Sequence, residues 1–312
     1  MARTRERGFP VDPEPLPVPV VDDHTHLESI AGVLPDDVVA PTVAEHVARA
    51  AAAGVDRMVQ VGCDLPSARW TDALLREAPA DGARDVRGAL LGAVAIHPNE
   101  AVLHADAHDV GPDGMTYERA EHHQVPLDDA IAEIARIARG NERVRAIGET
   151  GMDLFRSGPR GAAVQRESFR AHVALAKELG LALQIHDRDA HAEVIEVLLA
   201  DGAPERTVFH CFSGDEEMAR LCAEHGWYLS FAGPVTYKAN DHLRAALRAV
   251  PLELVLAETD APYLTPHPFR GQPNAPYAVA HTVRAMAQVR QVALEDLCRA
   301  VSANAERVYG PW

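Results

Sequence analysis

Short apolar runs rich in Val, Ile and Leu alternate with alanine-rich stretches of helical spacing along the whole of this chain. Such alternation is typical of consecutive βα units around a parallel sheet. A (β/α)8 TIM barrel consists of eight strands that are each followed by a helix. This chain of 312 residues is long enough for such a barrel and contains eight predicted strands. The predicted strands are 18–23, 55–61, 89–96, 143–148, 181–186, 206–211, 227–231 and 252–257.

The first residues differ from the rest of the chain. Prolines recur in residues 1–17, which predicts an extended arm without a core of its own. No linker rich in Pro and Gly and no change of composition divides residues 18–312. We therefore predict a single barrel domain there, with an extra C-terminal helix near 294–307.

The composition narrows the class of protein. Hydrophobic residues make up 47% and charged residues 24%, as in globular proteins. We expect a cytoplasmic protein without a membrane partner and without an obligate protein partner, because neither a secretory signal nor a membrane-length apolar run is visible. The net charge of −16 weighs against a basic nucleic-acid-binding surface, although bound cations would offset it locally.

Residues that can bind metals stand where the predicted strands end. Six of them follow five different strands: His24, His26, Glu149, His186, His210 and Asp260. The C-terminal strand ends of a barrel form its active-site mouth, so we expect these side chains to converge. Four imidazoles and two carboxylates suit two divalent ions better than one. The alternative is a rim of ordinary hydrogen-bonded polar residues.

Six motifs follow one another along the chain: Asp22–Leu27, Ala146–Asp153, Ile185–Ala190, His210–Gly214, Leu256–Leu264 and Arg270–Asn274. In sequence and in order they resemble the TatD family of metal-dependent hydrolases, which belongs to the amidohydrolase-like barrels. The match runs from about Val20 to Tyr309. The resemblance implies a metal-dependent deoxyribonuclease, a phosphodiesterase that removes nucleotides from the 3′ end.

The resemblance also implies roles for the six residues. One ion would bind His24, His26, Glu149 and Asp260. The second would bind Glu149, His186 and His210, so that Glu149 bridges the two ions and is counted as catalytic. Asp260 is expected to orient or deprotonate the attacking water, with a ligand-only role as the alternative. The metal, which is Zn, Mn, Mg, Co or Ni, and the role of Glu258 stay open.

Substrate contacts are predicted at four positions near the strand ends: His97, Arg188, Lys238 and Arg270. The cationic side chains could reach a phosphate, or could be surface ion-pair partners, and His97 could be a satisfied rim histidine. The chain departs from the family at Asn99, where a histidine is common, and at Glu28, where an aspartate is usual.

The segment 100–126 is some twenty residues longer than the family needs, so we predict an insertion there. It contains His104, His108, His122 and His123. One hypothesis is that it overhangs the barrel mouth and favours short or single-stranded substrates. The alternative is a mobile polar loop.

Three functions are weighed. The leading one is a two-metal phosphodiesterase whose substrate is DNA or a short oligonucleotide. The alternative is a two-metal hydrolase of a small-molecule ester or amide, which the acidic net charge mildly favours. A non-catalytic metal-binding scaffold is disfavoured, because every ligand position is filled.

Overall fold

Eight strands form one sheet in which neighbours follow chain order. A computed structural model describes residues 8–35, 37–77 and 86–312. The pairs β1–β2, β3–β4, β4–β5, β5–β6 and β7–β8 run parallel. The strands are β1 (Val20–Thr25), β2 (Val55–Gly62), β3 (Leu90–Val94), β4 (Val144–Asp153), β5 (Ala182–Arg188), β6 (Thr207–Phe209), β7 (Tyr228–Phe231) and β8 (Val255–Ala257).

The first strand is also hydrogen-bonded to the chain that leaves the last one. Thr25 and Ala261 form a parallel bridge. The amide of Asp260 donates to the carbonyl of His24 at 2.9 Å, and the amide of His26 donates to Ala261 at 2.7 Å. Together with the strand order, this ladder confirms the predicted (β/α)8 barrel.

Helices follow the strands, as predicted. They are α1 (Val43–Ala52), α2 (Leu65–Glu77), α3 (Val86–Ala89), α4 (Pro98–His104), α5 (Leu127–Gly140), α6 (Pro159–Leu179), α7 (His191–Asp201), α8 (Glu216–Glu224), α9 (Asp241–Ala249), α10 (Val279–Arg290) and α11 (Leu294–Tyr309). The last helix confirms the extra C-terminal helix. None of the described helices combines the length and the apolar character needed to cross a membrane.

Six strands lie within two residues of their predicted bounds at each end, and two differ by more. The strand predicted from residue 252 begins only at Val255, because Leu252–Leu254 form a 3-10 turn in which Leu254 donates to the carbonyl of Pro251. β4 continues to Asp153 instead of stopping at residue 148. Its extra residues find backbone partners in β5, up to the pairing of Asp153 with Arg188. This extension matters because it carries a carboxylate into the candidate site.

The chain divides into two compact units. The first comprises Met1–Gln60, Ala78–Leu91 and Gly214–Trp312. In it, residues 8–17 of the predicted arm contain no helix or strand, and residues 1–7 lie outside the described residues. Side chains of the same unit nevertheless bind the arm. The hydroxyl of Tyr277 donates to the carbonyl of Pro10, and Arg49 forms an ion pair with Asp12 at 2.6 Å.

The second unit comprises Val61–Glu77 and Gly92–Ser213. It holds the segment 100–126, which includes the end of α4 and a 3-10 turn at Glu121–Gln124. Asp109 in this segment accepts hydrogen bonds from the amides of Arg160 and Gly161 at the start of α6, at 2.9 and 3.1 Å. Free helical amides of this kind favour a carboxylate, so the segment is anchored to the connection that follows β4.

Candidate metal centre

Three predicted ligands meet within the first unit, and we call them the β1–β8 group: His24, His26 and Asp260. The Nε2 atoms of His24 and His26 are 3.2 Å apart. Oδ1 of Asp260 lies 3.5 Å from Nε2 of His26 and 4.0 Å from Nε2 of His24. All three side chains are buried. Two imidazole nitrogens that face each other beside a carboxylate oxygen form a donor set suited to a transition-metal cation.

Buried contacts between β1 and the end of β8 hold this group together. The carboxylate of Asp22 accepts the amide of Thr259 at 2.7 Å and its hydroxyl at 2.6 Å. Burial raises the pKa of Asp22 well above its ordinary value, in spite of these hydrogen bonds. Asp260 follows directly, with a φ of 54° in the left-handed region. A non-glycine residue kept in this conformation is typical of functional sites.

Glu28, the position that departs from the family, stands beside the β1–β8 group. Its Oε1 lies 3.9 Å from Nδ1 of His26. The side-chain amide of Gln60 donates to the other oxygen of Glu28 at 2.6 Å, and the same amide group accepts the backbone N–H of Leu27 at 2.8 Å. The longer side chain is therefore held in place, and it reaches the ring of a predicted ligand.

The second unit contains another cluster, which we call the Glu149 group: His97, Glu149, His186 and His210. Oε1 of Glu149 lies 2.8 Å from Nδ1 of His186 and 3.2 Å from Nε2 of His210. Nε2 of His97 is also 3.2 Å from this oxygen. The structure thus brings two predicted histidine ligands, His186 and His210, together with His97, onto one carboxylate oxygen of the third predicted ligand, Glu149.

Burial and neighbouring charges shift the pKa values of the Glu149 group in opposite directions. Burial would raise the pKa of Glu149, but the charges of His210 and His97 and the hydrogen bond from His186 hold it well below its ordinary value. Burial would lower the pKa of His186, but hydrogen bonds to Asp153 and Glu149 outweigh it and raise the pKa to about 9. Without a metal, the imidazolium of His186 therefore compensates the negative charges of Glu149 and Asp153.

Sequence reasoning gave no role to Asp153, which joins this network. Its Oδ2 is 3.3 Å from Nε2 of His186 and accepts the side-chain amide of Asn99 at 3.0 Å. Burial would raise the pKa of Asp153, but the hydrogen bond from His186 and further contacts lower it to about 2. Asp153 stands four residues after Glu149 on β4, and strand residues an even number apart share a face. Because the predicted strand ended at residue 148, this spacing is a signal only once the structure extends β4 to Asp153.

Asn99 replaces the histidine that the family pattern favours. Its backbone amide donates to Nδ1 of His97 at 3.1 Å, which leaves Nε2 of His97 to donate to Glu149. The side-chain amide of Asn99 donates to Asp153, and Oδ1 of Asn99 accepts a hydrogen bond from Gln165 at 3.2 Å. Asn99 therefore orients two members of the network.

Two of the three predicted phosphate contacts have other partners among the described residues. The guanidinium of Arg188 lies over the ring of Phe155, 4.1 Å from its centroid. The guanidinium of Arg270 lies over Tyr237 at the same distance, and Lys238 is exposed. Stacking of this kind leaves guanidinium donors at the edge of the plane. The role of these three residues and of His97 as substrate contacts remains a prediction. Glu258, whose role was left open, is fully buried.

Comparison with known proteins places this geometry in a family. The family model described as TatD related DNase matches residues 21–310. The chain belongs to the TatD family. It is 41% identical over 295 residues to an uncharacterized metal-dependent hydrolase TatD of Mycobacterium tuberculosis, a match that covers 93% of this chain and 98% of that protein. It is 33% identical over 267 residues to a Bacillus subtilis metal-dependent hydrolase, covering 85% and 91%.

Solved structures agree at the level of the fold. A TatD homologue from Escherichia coli superposes with a TM-score of 0.74 at 22% identity, covering 93% of this chain and 97% of that chain. A TatD family hydrolase from Entamoeba histolytica has a TM-score of 0.73 at 16% identity, covering 95% and 100%. This member of the TatD family is accordingly a metal-dependent hydrolase with the family's barrel, and its clustered histidines and carboxylates suit metal binding.

Proposed function

We propose that this TatD family protein is a two-metal phosphodiesterase that hydrolyses DNA, removing nucleotides from the 3′ end. The observation that carries the proposal is the Glu149 group, in which three imidazoles surround one ionised carboxylate oxygen. Such an arrangement is costly to bury without a function, because both the carboxylate and the rings lose hydration. The description of the matching family as TatD related DNase supports DNA as the substrate.

The proposal assigns the β1–β8 group to one ion. It assigns Glu149, His186 and His210 to the second, and it keeps the shared role of Glu149 that the resemblance implies. The donor chemistry fits, since the raised pKa of His186 shows that this position already attracts positive charge. Two bound divalent ions would supply a water of lowered pKa and would compensate the charge of the phosphate oxygens.

The residues of this chain would perform the remaining steps. Asp260, held in its left-handed conformation beside His26, accepts the proton of the attacking water at its carboxylate. Asp153 keeps His186 oriented through Nε2, as carboxylates behind metal-binding histidines commonly do. Arg188, Lys238 and Arg270 hold the phosphate backbone, where their charge offsets the net charge of −16.

A specific observation keeps a second function in view. The net charge of −16 opposes the approach of a polyanion, whereas it does not oppose an uncharged substrate. The same water-activating apparatus would hydrolyse an ester or amide of a small molecule. This candidate differs from the first only in the bond that is cleaved.

A panel of turnover assays tests both functions. The protein is loaded with Zn, Mn, Mg, Co or Ni in turn and is given 3′-labelled DNA, 5′-labelled DNA, and simple esters and amides. Early release of the 3′ label supports the proposal. Turnover of the esters or amides alone would establish the second function, and no turnover on any substrate would contradict both. An Asp260→Asn variant run in parallel excludes a contaminating nuclease.

A further inference from the structure

The segment between β3 and α5 carries a third cluster of histidines and carboxylates, which we call the insertion cluster: Glu100, His104, His122 and His123. Glu100 and His104 are four residues apart on α4, so their side chains share one face of that helix. His122 and His123 lie in the 3-10 turn Glu121–Gln124. One ligand atom from each residue lies within 4.8 Å of the others.

His104 has the hydrogen bonding of a metal ligand. Its side chain is buried, with 4% of the residue exposed, and its Nδ1 donates to the carbonyl of Val125 at 2.8 Å. The ring proton is therefore on Nδ1, and Nε2 offers a lone pair. Among the described residues, that buried Nε2 has no hydrogen-bond partner. A metal-ligating histidine characteristically gives its other N–H to a carbonyl or carboxylate, as here.

Glu100 supplies the negative charge of the cluster. Its Oε2 is 2.7 Å from Nε2 of His123 and 3.1 Å from Nε2 of His122. Burial would raise the pKa of Glu100, but these two contacts outweigh it and lower the pKa, so the group remains a carboxylate. Burial also lowers the pKa of His104, which keeps that ring neutral.

The two neighbouring histidines have different roles. The amide of Ala120 donates to Nδ1 of His123 at 2.8 Å, which places the ring proton of His123 on Nε2, facing Glu100. His123 is thus a donor that orients the carboxylate. For His122, a shift of the ring proton from Nε2 to Nδ1 would free Nε2 beside Glu100 without releasing a proton.

We propose that Glu100, His104 and His122 bind one divalent transition-metal ion of the zinc class, with His123 as a positioning residue. Two neutral imidazoles and one carboxylate suit zinc, cobalt or nickel and do not suit calcium, which takes oxygen ligands. The ion would be additional to those of the β1–β8 and Glu149 groups. It would fasten the 3-10 turn to α4, the helix that begins immediately after His97.

Metal counting on the full chain tests this site. Wild-type protein and single variants are saturated with zinc, dialysed, and analysed for zinc per chain by mass spectrometry. Glu100→Gln and His104→Gln should each hold one ion fewer than wild type. His108→Gln is the matched control, because His108 lies in the same segment with its ring against Tyr117 and outside the cluster. That variant should keep the wild-type count.

Cobalt provides a second readout that does not depend on activity. The difference between the visible spectra of cobalt-loaded wild type and the cobalt-loaded Glu100→Gln variant should show the bands of a nitrogen- and oxygen-ligated cobalt ion. Circular dichroism establishes whether each variant is folded. If His104→Gln does not fold, the nearly isosteric Glu100→Gln variant still tests the site. If the folded Glu100→Gln variant has the zinc count and the cobalt spectrum of wild type, the proposal is wrong. The insertion cluster would then be only a set of hydrogen bonds that joins the 3-10 turn to α4.

Discussion

The Glu149 group and the insertion cluster are both built on one carboxylate oxygen approached by imidazoles, yet they are prepared differently for a metal. In the Glu149 group, both ring nitrogens of His186 face carboxylates, and its pKa is raised to about 9. In the insertion cluster, one ring nitrogen of His104 is committed to a carbonyl, and burial lowers its pKa.

The difference has a chemical consequence. A metal ion that binds the Glu149 group must displace the proton of His186, whereas an ion that binds His104 displaces none from that ring. Without a metal, the protonated ring of His186 compensates the charge of the carboxylates in the Glu149 group. In the insertion cluster, the buried Nε2 of His104 has no hydrogen-bond partner among the described residues, and the proposed cation would give it one.

Matched carboxylate variants should separate the two clusters most strongly. Glu149→Gln should lower turnover on the best substrate by about 10³-fold, because it removes a charge that faces three imidazoles at the proposed reaction centre. Glu100→Gln should lower it by at most about tenfold, since Glu100 acts at a separate site. Steady-state rates at saturating metal give both numbers, and equal losses would show that the two clusters act as one.

The next largest effect is expected at the proposed proton acceptor. Asp260→Asn keeps the size of the side chain and removes its basicity, so turnover should fall by about 10²- to 10³-fold while the circular dichroism spectrum is unchanged. The matched control is Asp241→Asn, an exposed aspartate at the start of α9. Near-wild-type rates in Asp260→Asn would mean that another group accepts the proton.

The pH dependence of zinc binding should differ between the clusters. Since His186 is protonated below its pKa of about 9, the apparent zinc affinity of the Glu149 group should fall about tenfold for each pH unit below that value. His104, with its lowered pKa, adds no such dependence near neutral pH. Chelator competition at several pH values measures the slopes in wild type and in Glu100→Gln. A flat profile in Glu100→Gln would contradict proton displacement at His186.

The smallest effect on zinc affinity and turnover is expected at Asn99, whose side-chain amide donates to Asp153. Asn99→Ala removes the hydrogen bond to Asp153, so zinc affinity and turnover should each fall by about tenfold, the lower end of losses from residues behind metal ligands. The variant Asn99→Asp places a second carboxylate against Asp153 and should be worse than Asn99→Ala. Wild-type zinc affinity and turnover in Asn99→Ala would show that the amide donor is unimportant. A loss in Asn99→Asp no larger than that in Asn99→Ala would show that the added carboxylate does not repel Asp153.

Prediction from the sequence succeeded where a residue's role follows from its place on a repeated element. The apolar runs located the eight strands, and their ends located His24 and His26 in one group and Glu149, His186 and His210 in another. It failed for Asp153, because the extension of β4 depends on the backbone partners that β5 offers. Asn99 was seen only as a departure from the family, since its contact with Asp153 joins positions 54 residues apart.

The sequence by itself determined the class of fold and the set of candidate ligands, because hydrophobic periodicity and strand-end chemistry are local properties of the chain. Only the tertiary structure decided which ring nitrogen faces which carboxylate. Protonation in a buried cluster is set by distances of a few ångströms between residues far apart in sequence, as in the pairing of His186 with Glu149 and Asp153. For the same reason, only the structure showed that the 3-10 turn returns His122 and His123 to Glu100 and His104.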